Sequence, residues 1–284
     1  MATGPNNDDE PRNWRANEPL GEFAQPTSPS GRASAAAFFD LDRTLMSGSS
    51  GFFWARAAAR AGMISRRRLA LDAWENVKFR LRGSTDASTD RVMARVGAML
   101  EGRRARDFQR LGPQVLAGVL PRLYPQMLDI AWGHQDAGRP VYIVTAATQD
   151  TAEMIAKVLG FDGGLGTPLE EDAEGRYTGK LAGPFAYREG KPMVMRTLAE
   201  EEGIALSESY AYSDSESDLP MLRAVGHPVA VNPDGPLARI AREEGWDVLR
   251  FDRLGGRLTM LGGLAAATLL GAAGNAARRK VVSK

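Results

Sequence analysis

Apolar positions in this chain follow two periods, and the places where the period changes divide it. Ala36-Ala37-Phe38-Phe39 is a short unbroken apolar run that reads as a buried strand, and it ends abruptly on Asp40-Leu41-Asp42-Arg43-Thr44. The joint Ser47-Gly48-Ser49-Ser50-Gly51 follows, and from Phe52 to about Gln126 the spacing is helical. Phe52, Phe53, Ala57 and Ala58 make one apolar face, and Leu69, Leu71, Trp74, Val77 and Leu81 make another. Val92, Val96 and Leu100 continue the repeat. Ser65, Ser84 and Ser88 fit helix starts, and Gly62, Gly83 and Gly102 fit stops. So long a run of short helices between two strand-like segments predicts an insertion outside the sheet.

Beyond the insertion, strands and helices alternate. The pattern predicts helix Leu123–Asp136, strand Pro140–Val144, helix Thr151–Leu159 and a short extended piece Leu165–Pro168. A small hairpin follows from Arg176–Leu181 and Gly183–Phe185, then helix Lys191–Glu202 with Pro192 in its first turn. Strand Tyr210–Ser213, helix Leu219–Ala224, strand Pro228–Val231 and helix Pro236–Glu244 complete the series. Such alternation predicts an α/β fold whose parallel sheet binds ligands at the carboxyl ends of its strands.

The two ends read differently. Residues 1–34 carry Pro5, Pro11, Pro19, Pro26 and Pro29 among many Asn, Asp, Ser and Gly, with no apolar run, which predicts a disordered arm. The arm lacks the basic start and apolar stretch of a secretory signal, so the expectation is a cytoplasmic protein. Leu258–Ala277 is twenty residues without a charge, holding five Leu, four Gly and seven Ala. Its length suits a bilayer, but its apolar content is weak for insertion. Gly263, Ala267 and Gly271 recur every four residues, a small-residue stripe that permits close helix contact. The segment is read as a tail helix with three outcomes open: docking on protein or on a second copy in a homodimer, membrane contact, or a loosely ordered tail.

Composition narrows the chemistry. The chain has 284 residues, 43% hydrophobic and 25% charged, which is ordinary globular usage. It contains no cysteine and only two histidines, His134 and His227, both read as structural. Disulfides and thiolate metal sites are therefore excluded, and any metal is expected to be held by oxygen, which suits magnesium. Net charge is +1, yet Phe52 to Arg122 carries 15 Lys+Arg against 6 Asp+Glu. Two readings stay open for that segment: solvated Arg-rich helix faces, or a surface that draws in anionic substrates. Aromatic residues are sparse there, so no nucleic-acid partner is expected.

The candidate chemistry lies where strands end. Side chains two apart on a strand point the same way, so Asp40 and Asp42 share one small volume if the backbone stays extended. A strand followed by an acidic turn would give the same pattern. Strand Pro140–Val144 delivers Thr145, and strand Tyr210–Ser213 delivers Asp214, with Asp218 one helical turn beyond. Lys191 opens a helix, where a cation opposes the helix dipole, which suggests a role other than stability. Four clustered carboxylates demand a divalent cation. A hydroxyl and a lysine facing them would bind a tetrahedral dianion.

These residues, in this order, resemble the motifs of the haloacid dehalogenase superfamily, and within it subfamily IB, the branch that holds phosphoserine phosphatase. Asp40-Leu41-Asp42-Arg43-Thr44 matches the first motif, Thr145 the second, Gly190-Lys191 the third and Asp214-Ser215-Glu216-Ser217-Asp218 the fourth. The resemblance spans about Ala35 to Phe251. It implies a Rossmann-like parallel sheet core, residues 35–51 and 127–251, with an inserted all-helical cap, residues 52–126; the tail, 252–284, lies outside it. It further implies phosphomonoester hydrolysis with Asp40 as nucleophile and Asp42 as general acid and base. Thr145 and Lys191 would hold the phosphoryl group. The metal would be magnesium, taken by the Asp40 and Asp214 carboxylates and the Asp42 backbone carbonyl, with Asp218 orienting metal-bound water. The expected substrate is a small-molecule or lipid phosphomonoester, the lipid version placing the enzyme at the cytoplasmic membrane face. A catalytically idle phosphate-binding regulator is the alternative. Phosphoserine itself is doubtful as substrate. Ser49 stands where phosphoserine phosphatase carries the glutamate that holds the amine, Ser217 where it usually has asparagine, and Ala146 where a glycine is usual.

Overall fold

The computed structural model describes residues 35–63, 97–98 and 100–251. The predicted arm 1–34, the apolar faces and helix starts expected between 65 and 96, and the uncharged segment Leu258–Ala277 lie outside the described residues.

The strands are β1 (Ala37–Phe39), β2 (Val141–Thr148), β3 (Gly163–Thr167), β4 (Leu169–Glu171), β5 (Tyr177–Leu181), β6 (Tyr210–Ser213), β7 (His227–Val231) and β8 (Asp247–Leu249). Six form one parallel sheet in the order β3-β2-β1-β6-β7-β8. The chain leaves β1 toward β2 on one side and returns to β6 on the other. The order therefore reverses at β1, and a crevice opens at its carboxyl end.

Among the described residues, helices with both ends placed are α1 (Ser50–Arg60), α2 (Ala105–Gln109), α3 (Gly112–Val119), α4 (Pro125–Asp136), α5 (Gln149–Leu159), α6 (Gly190–Glu202), α7 (Leu219–Leu222) and α8 (Gly235–Glu243). Alternation along each strand sorts them into two layers. Phe39 lies beside Ile143 and Tyr212, and all three join the core with residues of α1, α3, α4 and α5. Phe38 lies beside Tyr142 and Ala211, and these face α6, α7 and α8. Phe38 and Phe39 are fully buried. Burying each contributes roughly 1.5–3 kcal/mol, and a stacked Phe39–Tyr212 pair at 4.3 Å ties β1 to β6.

Several boundaries differ from expectation. The antiparallel partner of β5 is β4, upstream, and not Gly183–Phe185. The cause is a turn the pattern did not weigh: Asp172 Oδ1 accepts from the N–H groups of Glu174 and Arg176, with Gly175 left-handed at φ 69°. Strand β2 runs to Thr148, well past Val144. β8 went unpredicted because Asp247-Val248-Leu249 is too short to show a period. Leu120–Arg122 is a 3-10 turn, and α4 starts only at Pro125, whose fixed φ suits a first helical position.

Both histidines lie away from the carboxyl ends of the strands. His134 is fully buried. Its Nδ1 accepts from Arg139 Nε at 2.8 Å, so Nε2 carries the hydrogen and donates to Tyr212 Oη at 2.8 Å. Burial and the Arg139 charge hold its pKa down at about 3. His227 opens β7 and stacks on Tyr210.

Candidate active site

Asp40 follows β1 directly, and its N–H still donates to Tyr212 carbonyl at 2.9 Å, so the ladder fixes where its side chain emerges. Two strands of the motif set flank it. Thr145 is buried on neighbouring β2, two residues beyond Ile143, the last residue of β2 paired with β1. Its hydroxyl accepts from Ala147 N–H at 3.2 Å. Asp214 follows β6 on the other side, and its carbonyl accepts from Asp234 N–H at 2.9 Å.

Lys191 lies in the first turn of α6 with only 2% of its side chain exposed. Its ammonium donates to Asp40 Oδ1 at 2.6 Å and to Asp218 Oδ2 at 2.8 Å. Packing places it there. A Cβ on Gly190 would sit 1.7 Å from the Phe185 carbonyl oxygen, so only glycine lets the chain approach so closely. Burial alone would lower the Lys191 pKa, but the Asp218 and Asp40 charges outweigh it and hold the amine protonated.

Asp218 stands at the N-cap of α7 without capping it. Its Oδ2 instead accepts from Lys191 and from Ser213 Oγ, the latter at 2.7 Å. Asp214 Oδ2 meets Arg43 at 3.0 Å. Arg43 is half exposed and holds a left-handed backbone, φ 67°, which a non-glycine residue adopts only at a cost. Ser213 and Arg43 escaped the sequence reading. Serine before a motif is unremarkable, and Arg43 occupies the free position inside its motif.

The four predicted acids therefore divide. Asp40, Asp214 and Asp218 are buried together at the strand ends. Asp42 is half-buried and is held by different partners. Its carboxylate turns to the start of α1, accepting from Ser50 N–H at 2.7 Å and Ser49 Oγ at 3.0 Å.

Charge in the cluster is unbalanced. Three buried carboxylates face two cations, Lys191 and Arg43, leaving one negative charge in excess. Burial accordingly raises the proton affinity of Asp40 far above the carboxylate range, against the pull of Lys191 and with the help of Asp218 and Asp214. Burial also lifts Asp214 to about 7, opposed by Arg43. Among the described residues no three acidic or histidine side chains form a ready metal cage. Magnesium does not require one, since it commonly takes one or two carboxylates and keeps water on its other positions. An all-oxygen donor set with surplus negative charge fits such a cation, and the cation with Lys191 would then offset most of the charge of a tetrahedral dianion placed beside them.

A family model for haloacid dehalogenase-like hydrolases matches residues 37–223. Phosphoserine phosphatase SerB1 of Mycobacterium tuberculosis is 37% identical over 247 residues, 86% of this chain and 79% of that one. Histidinol-phosphatase of Neisseria meningitidis is 31% identical over 227 residues, 76% of this chain and 98% of its own. Among solved structures, a Bordetella pertussis protein described as of unknown function superposes with a TM-score of 0.68 at 31% identity, covering 77% of this chain and 99% of that one.

Proposed function

The chain belongs to the haloacid dehalogenase-like hydrolases, and from that premise we propose a magnesium-dependent phosphatase that hydrolyses a phosphomonoester through a phosphorylated Asp40. One observation carries this reading: a buried lysine clamps Asp40 and Asp218 at the carboxyl end of the central strand, where the strand order reverses. A structural ion pair has little reason to leave excess charge unneutralised there. A site that takes a divalent cation together with a phosphate does.

In the first step an Asp40 carboxylate oxygen attacks phosphorus in line, and the ester P–O bond breaks as Asp42 gives its proton to the leaving oxygen. In the second, Asp42 takes a proton from water, the water oxygen bonds to phosphorus, and the Asp40–phosphorus bond breaks. Lys191 and Thr145 hold phosphoryl oxygens through both steps. Lys191 also opposes, without overcoming, the burial that favours the protonated form of Asp40. The Asp40 and Asp214 carboxylates and the Asp42 carbonyl would hold magnesium, with Asp218 orienting its water. The bound ion supplies charge screening between an anionic nucleophile and an anionic phosphate. Residues 52–126 serve as the cap over a core of 35–51 and 127–251, and α1, the first described cap helix, starts beside Asp42.

The substrate class is a small-molecule phosphomonoester. The relatives' names make phosphoserine and histidinol phosphate the first two to try. Ser49 in place of a carboxylate leaves an amine on either without that contact. Purified protein with magnesium should hydrolyse an aryl phosphate, and Asp40→Asn should reduce turnover by about 10³-fold or more. If the wild type hydrolyses nothing across a broad panel of phosphorylated metabolites, the phosphatase reading is wrong and a phosphate-binding regulator replaces it.

A further inference from the structure

Ser49 sits at the N-cap of α1 with extended backbone, φ −131° and ψ 128°, yet its side chain makes no bond to the helix. A serine in that position ordinarily accepts from an N–H two or three residues on. Here the hydroxyl donates backwards to Asp42 Oδ2, while Ser50 N–H, at the helix's first residue, donates to Asp42 Oδ1. The roles are exchanged: the acid serves the helix terminus, and the capping residue serves the acid. Gly48, left-handed at φ 98°, makes the turn that brings Ser49 back over Asp42.

We propose that Ser49 is a positioning residue for Asp42, aiming the oxygen that transfers the proton, and not a contact to substrate. The inference rests on the phosphatase reading above. A backbone N–H can only donate, so Oδ1 stays an acceptor and the exchangeable proton resides on Oδ2. Ser49 donates to one lone pair of Oδ2, so the acid proton occupies the other side of that oxygen and stays free for the leaving group. With both oxygens held, the carboxyl plane cannot turn about its broad terminal torsion. Proton transfer then stays aligned as the ester bond breaks, its electron pair going to the leaving oxygen and the Oδ2 proton following. The same oxygen recovers a proton from water in the second step.

The test compares leaving groups. An alkyl phosphate needs a proton as it departs, whereas p-nitrophenyl phosphate departs readily without one. Single-turnover rates isolate the first step. Ser49→Ala should slow alkyl phosphate cleavage by about 10- to 100-fold, part of the 10²–10⁴ that proton transfer contributes. It should slow the aryl ester by less than about threefold and leave KM for both unchanged, and Ser49→Thr should restore the alkyl rate. Should Ser49→Ala not fold, Ser49→Gly takes its place, since glycine is tolerated at helix starts. Equal losses on both esters, a raised KM, or no loss at all would overturn the positioning role while leaving the phosphatase intact. Wild-type protein inert toward both esters would bring down the phosphatase reading and this inference with it.

Discussion

Two buried polar clusters lie along the same sheet, and they are built to opposite rules. At the carboxyl ends, Asp40, Asp214 and Asp218 outnumber Lys191 and Arg43. On the far side of Tyr212, His134 accepts from Arg139, donates to Tyr212, and sits beside the Tyr210 ring, which also lies under the Arg139 guanidinium. In the second cluster each imidazole nitrogen has a partner within the protein. The first is satisfied only when something else arrives. The lesson is that burial of ionisable groups does not mark a site by itself; surplus charge of one sign does, because folding gains nothing by keeping it.

The largest expected break of this contrast is Lys191→Met. It leaves two buried carboxylates without their counter-ion, and loss of one partner in such a pair costs about 3–5 kcal/mol. Denaturant unfolding should show that loss at neutral pH, together with loss of turnover. Unchanged stability would mean that Asp40 and Asp218 simply protonate.

His134→Ala comes next. Orphaning the partners of the imidazole should cost about 1–3 kcal/mol, and turnover per folded molecule should not change. The acid limb adds a sign. The folded pKa of about 3 lies below the ordinary 6.5. This group's stabilisation is therefore full above about pH 6.5 and declines as pH falls toward 3. The variant should lose less stability over that window than wild type does.

The smallest effect sharpens the contrast at the other cluster. Asp214 and Asp40 have folded pKa values raised above the ordinary 3.8, Asp214 to about 7. Their contribution is present below about pH 4 and is lost as pH climbs toward 7 and beyond. The metal-free protein should therefore melt lower at pH 8 than at pH 5.5. Magnesium should raise the melting temperature more at pH 8, where it need not displace protons. An equal magnesium effect at both values would mean that the cation does not bind at these carboxylates.

Much of the core was readable because burial leaves periodic traces. Phe38-Phe39, Val141–Val144 and Tyr210–Ser213 are apolar enough to identify three neighbouring strands from sequence. Their order across the sheet comes from the structure, since alternation with helices implies parallel crossovers but not which strands are neighbours. Lys191 betrayed itself by standing where a helix dipole repels it. What escaped depends on backbone conformation. The turn at Arg43, whose side chain reaches Asp214, needs a left-handed arginine that no hydrophobic pattern announces. The reversal of capping roles between Ser49 and Asp42 is likewise invisible, since Ser-Ser ahead of a helix looks like an ordinary start. The β4–β5 hairpin went wrong for a related reason, a side-chain turn at Asp172 outweighing a proximity guess.

The contact between Gly190 and the Phe185 carbonyl limits how this protein can drift. Every substitution at that glycine adds at least one carbon where an oxygen already stands. Random mutation can therefore explore the exposed side chains around the crevice freely while this backbone crossing stays closed to it. New substrates would have to be acquired without moving the lysine that the crossing carries.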